Sequence, residues 1–265
     1  NPNFPQLNSL DDIFSLKGKY AVVIGGKGKI GIPMVKSLAI AGSTVYVCSP
    51  TSNKEEIRKI FGNNSRILSR KLDQSDEHQI KQFIKELSNL GHHPNILINC
   101  GVDRPMKKHF DDSWENWDKS MKSNSRGLFV TCRAFARSMA DHGGGSIINV
   151  ASIYGIVAPD PQIYEGTDMF TEPDYPFHKG GMIMFTKYLA TLYAKSKVRV
   201  NCIAPGGVFN NQPKHFHSRY VAKVPLGRMA NVDDFYGITI FLASESSKYI
   251  TGTVIPVDGG CTIKI

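Results

Sequence analysis

No stretch of this chain approaches the roughly 18 consecutive apolar residues of a membrane-crossing helix, so a helical span is excluded and no membrane partner is expected. Cysteine is scarce and scattered, at Cys48, Cys100, Cys132, Cys202 and Cys261. An odd number with no Cys-x-x-Cys pair argues against both a disulfide framework and a zinc site. No metal is expected. Internal repeats, low-complexity tracts and linkers are also lacking, which leaves one α/β domain over 1–265 as the expectation. With 265 residues and 41% hydrophobic composition, such a domain can bury a sizeable core. Acidic residues are outnumbered, 23 against 32 basic, and the net charge of +9 suits an anionic ligand. The lysines form no stripe interleaved with aromatics, so a nucleic-acid partner is not expected. Asn1 to Leu16 carry no signal-peptide pattern, and without an initiator Met the chain reads as trimmed there. Together with the cysteine usage, this makes a reducing cytoplasm the expected location.

What is present is alternation. Short β-branched runs predict strands near 20–24, 44–48, 66–70, 95–99, 146–151, 198–203 and 253–257. Helical periodicity falls between them, at 32–39 and near 54–61, 77–90, 114–141, 176–195 and 231–244. The pattern predicts a doubly wound parallel sheet with helices on both faces and ligands outside the carboxyl ends of the strands. Two irregular stretches, 156–174 and 207–224, are read as loops over a substrate pocket.

After the first strand comes Gly25-Gly26-Lys27-Gly28-Lys29-Ile30-Gly31 and then a helix. Strand, glycine turn and helix in that order make a dinucleotide cradle, in which glycine lets the backbone approach a pyrophosphate at a helix N-terminus. The second strand ends in Ser49-Pro50-Thr51-Ser52 and offers no carboxylate before Glu55 for a ribose 2′-hydroxyl. Hydroxyls at Ser49, Thr51 and Ser52, with Lys27 and Lys54 near by in sequence, suit a 2′-phosphate. NADP(H) is therefore expected ahead of NAD(H).

The chemistry centres on Tyr175-Pro176-Phe177-His178-Lys179, preceded by Asn149-Val150-Ala151-Ser152. Residues four apart share a helix face, and an ammonium there favours a neighbouring phenolate. A phenol of pKa about 10 thereby comes within reach of acid–base work at neutral pH. Ser152, at a strand end, can hydrogen-bond the substrate oxygen. The bland alternative is a chance pair on an amphipathic helix.

Taken in order, these motifs resemble the short-chain dehydrogenase/reductase family from about Leu16 onward. Gly25 and Gly31 match its glycine motif, while Lys29 stands where the middle glycine is expected. The resemblance implies cofactor contacts at Gly25, Lys27, Gly28, Ile30, Gly31, Ser49, Asp73, Gln74, Asn99, Cys100 and Gly101. It implies the same at Pro205, Gly206 and Val208, with Val208 holding the nicotinamide carboxamide through its backbone. Asn124 matches the catalytic asparagine, implied to kink its helix and hold a water of the proton relay. Ser152, Tyr175 and Lys179 match the other catalytic residues, Tyr175 and Lys179 also touching the cofactor. The C-terminal signature from Pro225 to Gly260 implies a homodimer or homotetramer.

The serine-to-tyrosine gap is 23 residues, longer than the family's usual dozen. Tyr164 lies at the usual distance but has Asp168 four residues on, so Tyr175 is chosen and 156–174 is read as an insertion over the pocket. That insertion resembles the branch acting in bacterial sugar and nonulosonic-acid biosynthesis. The expected activity is carbonyl/alcohol interconversion by hydride transfer on a sugar derivative. Reduction of a 3-oxoacyl thioester and a catalytically silent NADP-binding sensor are the alternatives.

Overall fold

A computed structural model describes residues 9–263. The first eight residues of the Asn1–Leu16 segment and the last two of the expected 1–265 domain lie outside the described residues. Seven parallel strands form one sheet in the order β3-β2-β1-β4-β5-β6-β7. They are β1 (Tyr20–Ile24), β2 (Thr44–Ser49), β3 (Ile67–Lys71), β4 (Pro94–Asn99), β5 (Gly145–Val150), β6 (Val198–Pro205) and β7 (Val254–Val257). This is the expected doubly wound α/β architecture.

Side chains alternate across a strand, and here both faces are covered, which is why the central runs are apolar throughout. Val22, Tyr46, Leu97, Ile147 and Val200 face one layer with Leu128, Phe135 and Leu189. Ala21, Val23, Val45, Val47, Ile96, Ile98 and Ile148 face the other with Met34, Val35, Leu38 and Leu242. The helices supplying these layers begin, after a short α1 (Asp11–Phe14), with α2 (Gly31–Ile40), α3 (Lys54–Phe61) and α4 (Glu77–Asn89). They continue as α5 (Trp114–Ser120), α6 (Gly127–Asp141), α7 (Asp174–Tyr193), α8 (Lys214–Ala222) and α9 (Tyr236–Ala243). Chain order reverses between β1 and β4, which opens the crevice where such sheets bind ligands.

Two sequence readings need correction. The helix expected over 114–141 is not one α-helix: Met121–Arg126 is π-helical, with the Gly127 N–H donating to the Lys122 carbonyl five residues back. Such a turn bends a helix and re-aims its side chains. The stretch 207–224 is not irregular throughout, because it contains α8. Phe216 and Tyr220, four apart, bury one face of that helix, while its otherwise basic, polar composition masks the periodicity. The 156–174 stretch is a loop apart from the 3₁₀ turns Ile153–Gly155 at its entrance and Pro161–Tyr164 within it.

Candidate active site

At the switch point the backbone itself shapes a cleft. Gly25 has φ +76°, and a Cβ there would lie 2.5 Å from Gly101 Cα, so the turns after β1 and β4 meet backbone to backbone. A Cβ on Gly31 would fall on the Gly25 carbonyl oxygen and 2.8 Å from Gly26 Cα, so α2 starts tight against the loop. Ile30 is the residue before α2 and its carbonyl accepts from Met34 N. The resulting cleft of about 730 Å³ is lined by Gly25, Lys27, Gly28, Ser49, Thr51, Glu56, Asp73, Gln74, Cys100 and Gly101. Ser49 Oγ is buried there without a hydrogen-bond partner among the described residues. An orphaned hydroxyl in a glycine-walled cleft beside a helix N-terminus fits the ribose and phosphates of a nicotinamide dinucleotide.

Several residues expected to touch the cofactor have protein partners. Gln74 Nε2 donates to the Ser123 carbonyl at 2.7 Å, tying the turn after β3 to the π-helical segment. Asp73 accepts from the Ser75 amide and hydroxyl. Asn99 is buried and donates to Asn149 Oδ1 at 2.8 Å, fastening β4 to β5. Burial pushes the Cys100 thiol up to about 11, so it is protonated and inert at neutral pH. Lys27 Nζ sits 2.6 Å from Glu56 Oε2 and 2.9 Å from Thr51 Oγ1. Sequence reading had not placed Glu56 in this cleft; it comes there because α3 starts where β2 ends. Lys29, at the position of the missing glycine, reaches Asn210 Oδ1 at 2.6 Å and straps the glycine turn to the loop after β6. Beyond Pro205, Gly206 N donates to the Val257 carbonyl and Val208 bridges to Ala230.

The catalytic candidates come from three neighbouring elements. Ser152 follows β5 and caps the turn Ile153–Gly155, accepting from Tyr154 N at 3.1 Å. That turn lies on α7: a Cβ at Gly155 would be 2.8 Å from the Lys179 carbonyl. Tyr175 is the second residue of α7, with Pro176 in the first turn, where its missing N–H costs little. Lys179 is 3% exposed, its Nζ 5.7 Å from the Tyr175 ring centroid and donating to the Val150 carbonyl at 2.6 Å. Asn124 lies in the π-helical segment. Its amide bonds both the N–H and the carbonyl of Asp103 at 2.8 Å, so its side chain pins the turn after β4.

Tyr164, the rival tyrosine, is engaged elsewhere. Its hydroxyl bonds Tyr154 at 2.8 Å and Thr171 at 2.7 Å, and its ring packs on Phe216. Burial, first, and the neighbouring Tyr164 hold the Tyr154 phenol far above its ordinary value. No hydrogen bond to the Tyr175 hydroxyl is found among the described residues.

Segments 102–113 and 156–174 meet as a roof beside Tyr175. The Arg104 guanidinium lies 4.1 Å from the Tyr175 ring centroid, and His109 packs edge-on to Phe170. Burial pushes the Glu172 carboxyl above the usual range, and the His109 amide offsets this only in part. His178, packed edge-on to Tyr175 at 5.4 Å, is buried with both ring nitrogens unpartnered among the described residues. Burial, then the nearby Lys179 and Arg104 cations, lower its pKa to about 3, so the imidazole is neutral. Arg104 and His178 carry no sequence signal, since neither belongs to a spacing pattern.

The sheet order, the glycine crevice and the serine, tyrosine and lysine around one strand end describe a nicotinamide-dependent oxidoreductase on a doubly wound sheet. Residues 26–262 match the family model described as enoyl-(acyl carrier protein) reductase. The chain is 33% identical to 2-dehydro-3-deoxy-D-gluconate 5-dehydrogenase of Bacillus subtilis, covering 95% of this chain and 97% of that protein. It is 31% identical to 3-oxoacyl-[acyl-carrier-protein] reductase of Aquifex aeolicus, over 92% and 98%. Among solved structures it is similar to a short chain dehydrogenase of Leptospira borgpetersenii with bound NAD+, at TM-score 0.85, 33% identity and 98% coverage of each chain. A gluconate 5-dehydrogenase of Burkholderia cenocepacia in complex with NADP and tartrate superposes with TM-score 0.85 at 26% identity, over 97% and 100%. The chain belongs to the short-chain dehydrogenase/reductase family, an NAD(P)-dependent oxidoreductase interconverting a carbonyl and an alcohol.

Proposed function

We propose that the substrate is a carboxylate-bearing sugar derivative, oxidised or reduced at a secondary alcohol/ketone position. The observation that carries this reading is Arg104, a cation with no carboxylate partner among the described residues, resting against the Tyr175 ring. A free guanidinium fork beside the reacting hydroxyl suits a carboxylate held two-pronged. The relatives named for 2-dehydro-3-deoxy-D-gluconate and the gluconate enzyme holding tartrate are in line with it. Nonulosonic acids, whose biosynthetic branch the insertion resembles, fall in the same chemical class.

In this reading the nicotinamide, when bound, supplies or accepts the hydride. Ser152 donates to the substrate oxygen and Tyr175 gives or takes the proton there. Lys179, buried one turn on, keeps its ammonium beside the Tyr175 ring. Asn124 fixes the neighbouring turn and would hold the relay water. NADP(H) is the proposed carrier, because β2 ends in Ser49 with Thr51 and Lys27 alongside. Lys27 would then leave Glu56 for the 2′-phosphate. The loop 156–174 and the α8-bearing segment 207–224 form the pocket of a single domain in this reading. Exposed Phe129, Phe177, Met184, Tyr188 and Leu192 on α6 and α7 support a homodimer or homotetramer. No described helix is long and apolar enough to cross a membrane, which suits a cytoplasmic enzyme.

The test is turnover of 2-dehydro-3-deoxy-D-gluconate, D-gluconate and glycerol with NADP+ and NAD+, beside a 3-oxoacyl thioester with NADPH. Sugar acids should be turned over, and Arg104→Ala should raise their KM about 10- to 100-fold, the loss of a charge-assisted hydrogen bond. Turnover of the thioester alone would favour the acyl-chain reading, for which the Aquifex relative speaks. No turnover with retained cofactor binding would favour a silent sensor.

A further inference from the structure

Directly before Tyr175 lies a buried carboxylate that the reaction, as read above, does not use. Asp174 is 2% exposed and opens α7, where a negative charge is favoured by the helix dipole. It accepts a hydrogen bond from Ser120 Oγ, and Ser120, fully buried at the end of α5, is 54 residues away in sequence. Ser120 Oγ in turn accepts from Asn124 Nδ2 at 3.0 Å. The same Asn124 amide holds the backbone of Asp103, next to Arg104. One chain of hydrogen bonds therefore runs from the residue before the tyrosine, through the π-helical segment, to the turn that carries the arginine.

We propose that Asp174 is a positioning residue: through Ser120 its carboxylate locks the asparagine-bearing π-helical segment onto the first turn of the tyrosine helix. The inference rests on the assignment of Tyr175 and Asn124 to the reaction. The π-helical segment makes such a lock necessary. It has given up the regular i→i−4 ladder, and without an outside anchor Asn124 would follow whichever way the bend relaxes. Asp174 supplies an anchor from the facing helix through Ser120, beside those that Gln74 and the Asp103 backbone give from the sheet side. Because Ser120 is sealed from water, its hydroxyl has no solvent alternative, and the bond is expensive to break. The groups facing Tyr175 and Asp174 are Arg104 from the turn after β4, His178 and Lys179 on α7, and Glu172 in the preceding loop.

The test uses the full chain with Asp174→Ala, Asp174→Asn, Ser120→Ala and the Asp174→Ala/Ser120→Ala double variant. Hydrogen–deuterium exchange needs no substrate. Asp174→Ala and Ser120→Ala should each speed exchange at least tenfold in 120–126 and 174–179 and leave β1 and β4 unchanged. Asp174→Asn, which keeps an acceptor for Ser120, should restore most of the protection. With 2-dehydro-3-deoxy-D-gluconate, kcat should fall about 10- to 100-fold in each alanine variant while the NADPH Kd stays within twofold. The double variant should be no worse than either single one, because both remove the same link. The proposal is overturned by additive losses, by exchange that rises over the whole chain, or by Asp174→Asn behaving like Asp174→Ala. An alanine variant that loses NADPH affinity in step with kcat also overturns it. Should Tyr175→Phe keep wild-type turnover, the site assignment fails instead, while the exchange result still decides whether the lock exists.

Discussion

The glycine cradle and the roof over Tyr175 are built on opposite principles. In the cradle, contact is backbone on backbone: Gly25 meets Gly101 and Gly31 meets Gly25 with no room for a methyl group. Around Tyr175 the contacts are between side chains, and both His178 nitrogens find no partner among the described residues. A surface made of backbone serves a ligand common to many enzymes, since the main chain looks the same whatever the sequence. A surface made of unsatisfied side chains serves one ligand, whose own groups complete the hydrogen bonding. In the proposed reading, cofactor binding and substrate choice are separated in space and in chemistry.

That contrast is breakable, and the largest effect should come from the cradle. Gly31→Ala places a methyl on the Gly25 carbonyl and should abolish nicotinamide binding, more than 100-fold in Kd by fluorescence titration, while no roof substitution does so. Binding within a few-fold of wild type would show that the loop yields and that the close contact is not required.

A smaller effect belongs to the tyrosine helix beside the roof and depends on pH. His178 has a folded pKa of about 3 against an ordinary value near 6.5, so between these the unfolded chain binds the extra proton. Its contribution to stability is present above pH 6.5 and is lost as pH falls toward 3, on the order of a few kcal/mol. Denaturant midpoints of His178→Gln should fall less steeply than wild type over that window. Parallel curves would mean that the imidazole has found a partner and titrates normally.

The smallest effect sharpens the cradle's selectivity. Glu56→Gln should release Lys27 and remove a charge that repels a 2′-phosphate, raising the NADP+/NAD+ preference in kcat/KM about tenfold. An unchanged ratio would remove Lys27 from the 2′-site.

The same division explains what the sequence disclosed. Strand runs such as Tyr20–Ile24 and the glycine spacing are local signals set by backbone geometry, so the sheet, its alternation and the cradle were legible. The Tyr175/Lys179 pair was legible because it shares one helix face. Glu56, Arg104 and His178 were not, because each acquires its neighbours only when separate elements meet. α8 was hidden because Phe216 and Tyr220 find their burial against the insertion, in the cluster with Ile163, rather than in the main core. Asp174 falls within the irregular stretch 156–174, and its partner Ser120 is 54 residues away, so no spacing rule joins them.

The most direct test sets two tyrosines side by side, with steady-state turnover of 2-dehydro-3-deoxy-D-gluconate and NADPH titration for Tyr175→Phe and Tyr164→Phe. The account predicts that Tyr175→Phe loses about 1,000-fold or more in kcat with NADPH affinity retained, whereas Tyr164→Phe keeps turnover within tenfold. Turnover surviving in Tyr175→Phe and vanishing in Tyr164→Phe would contradict it.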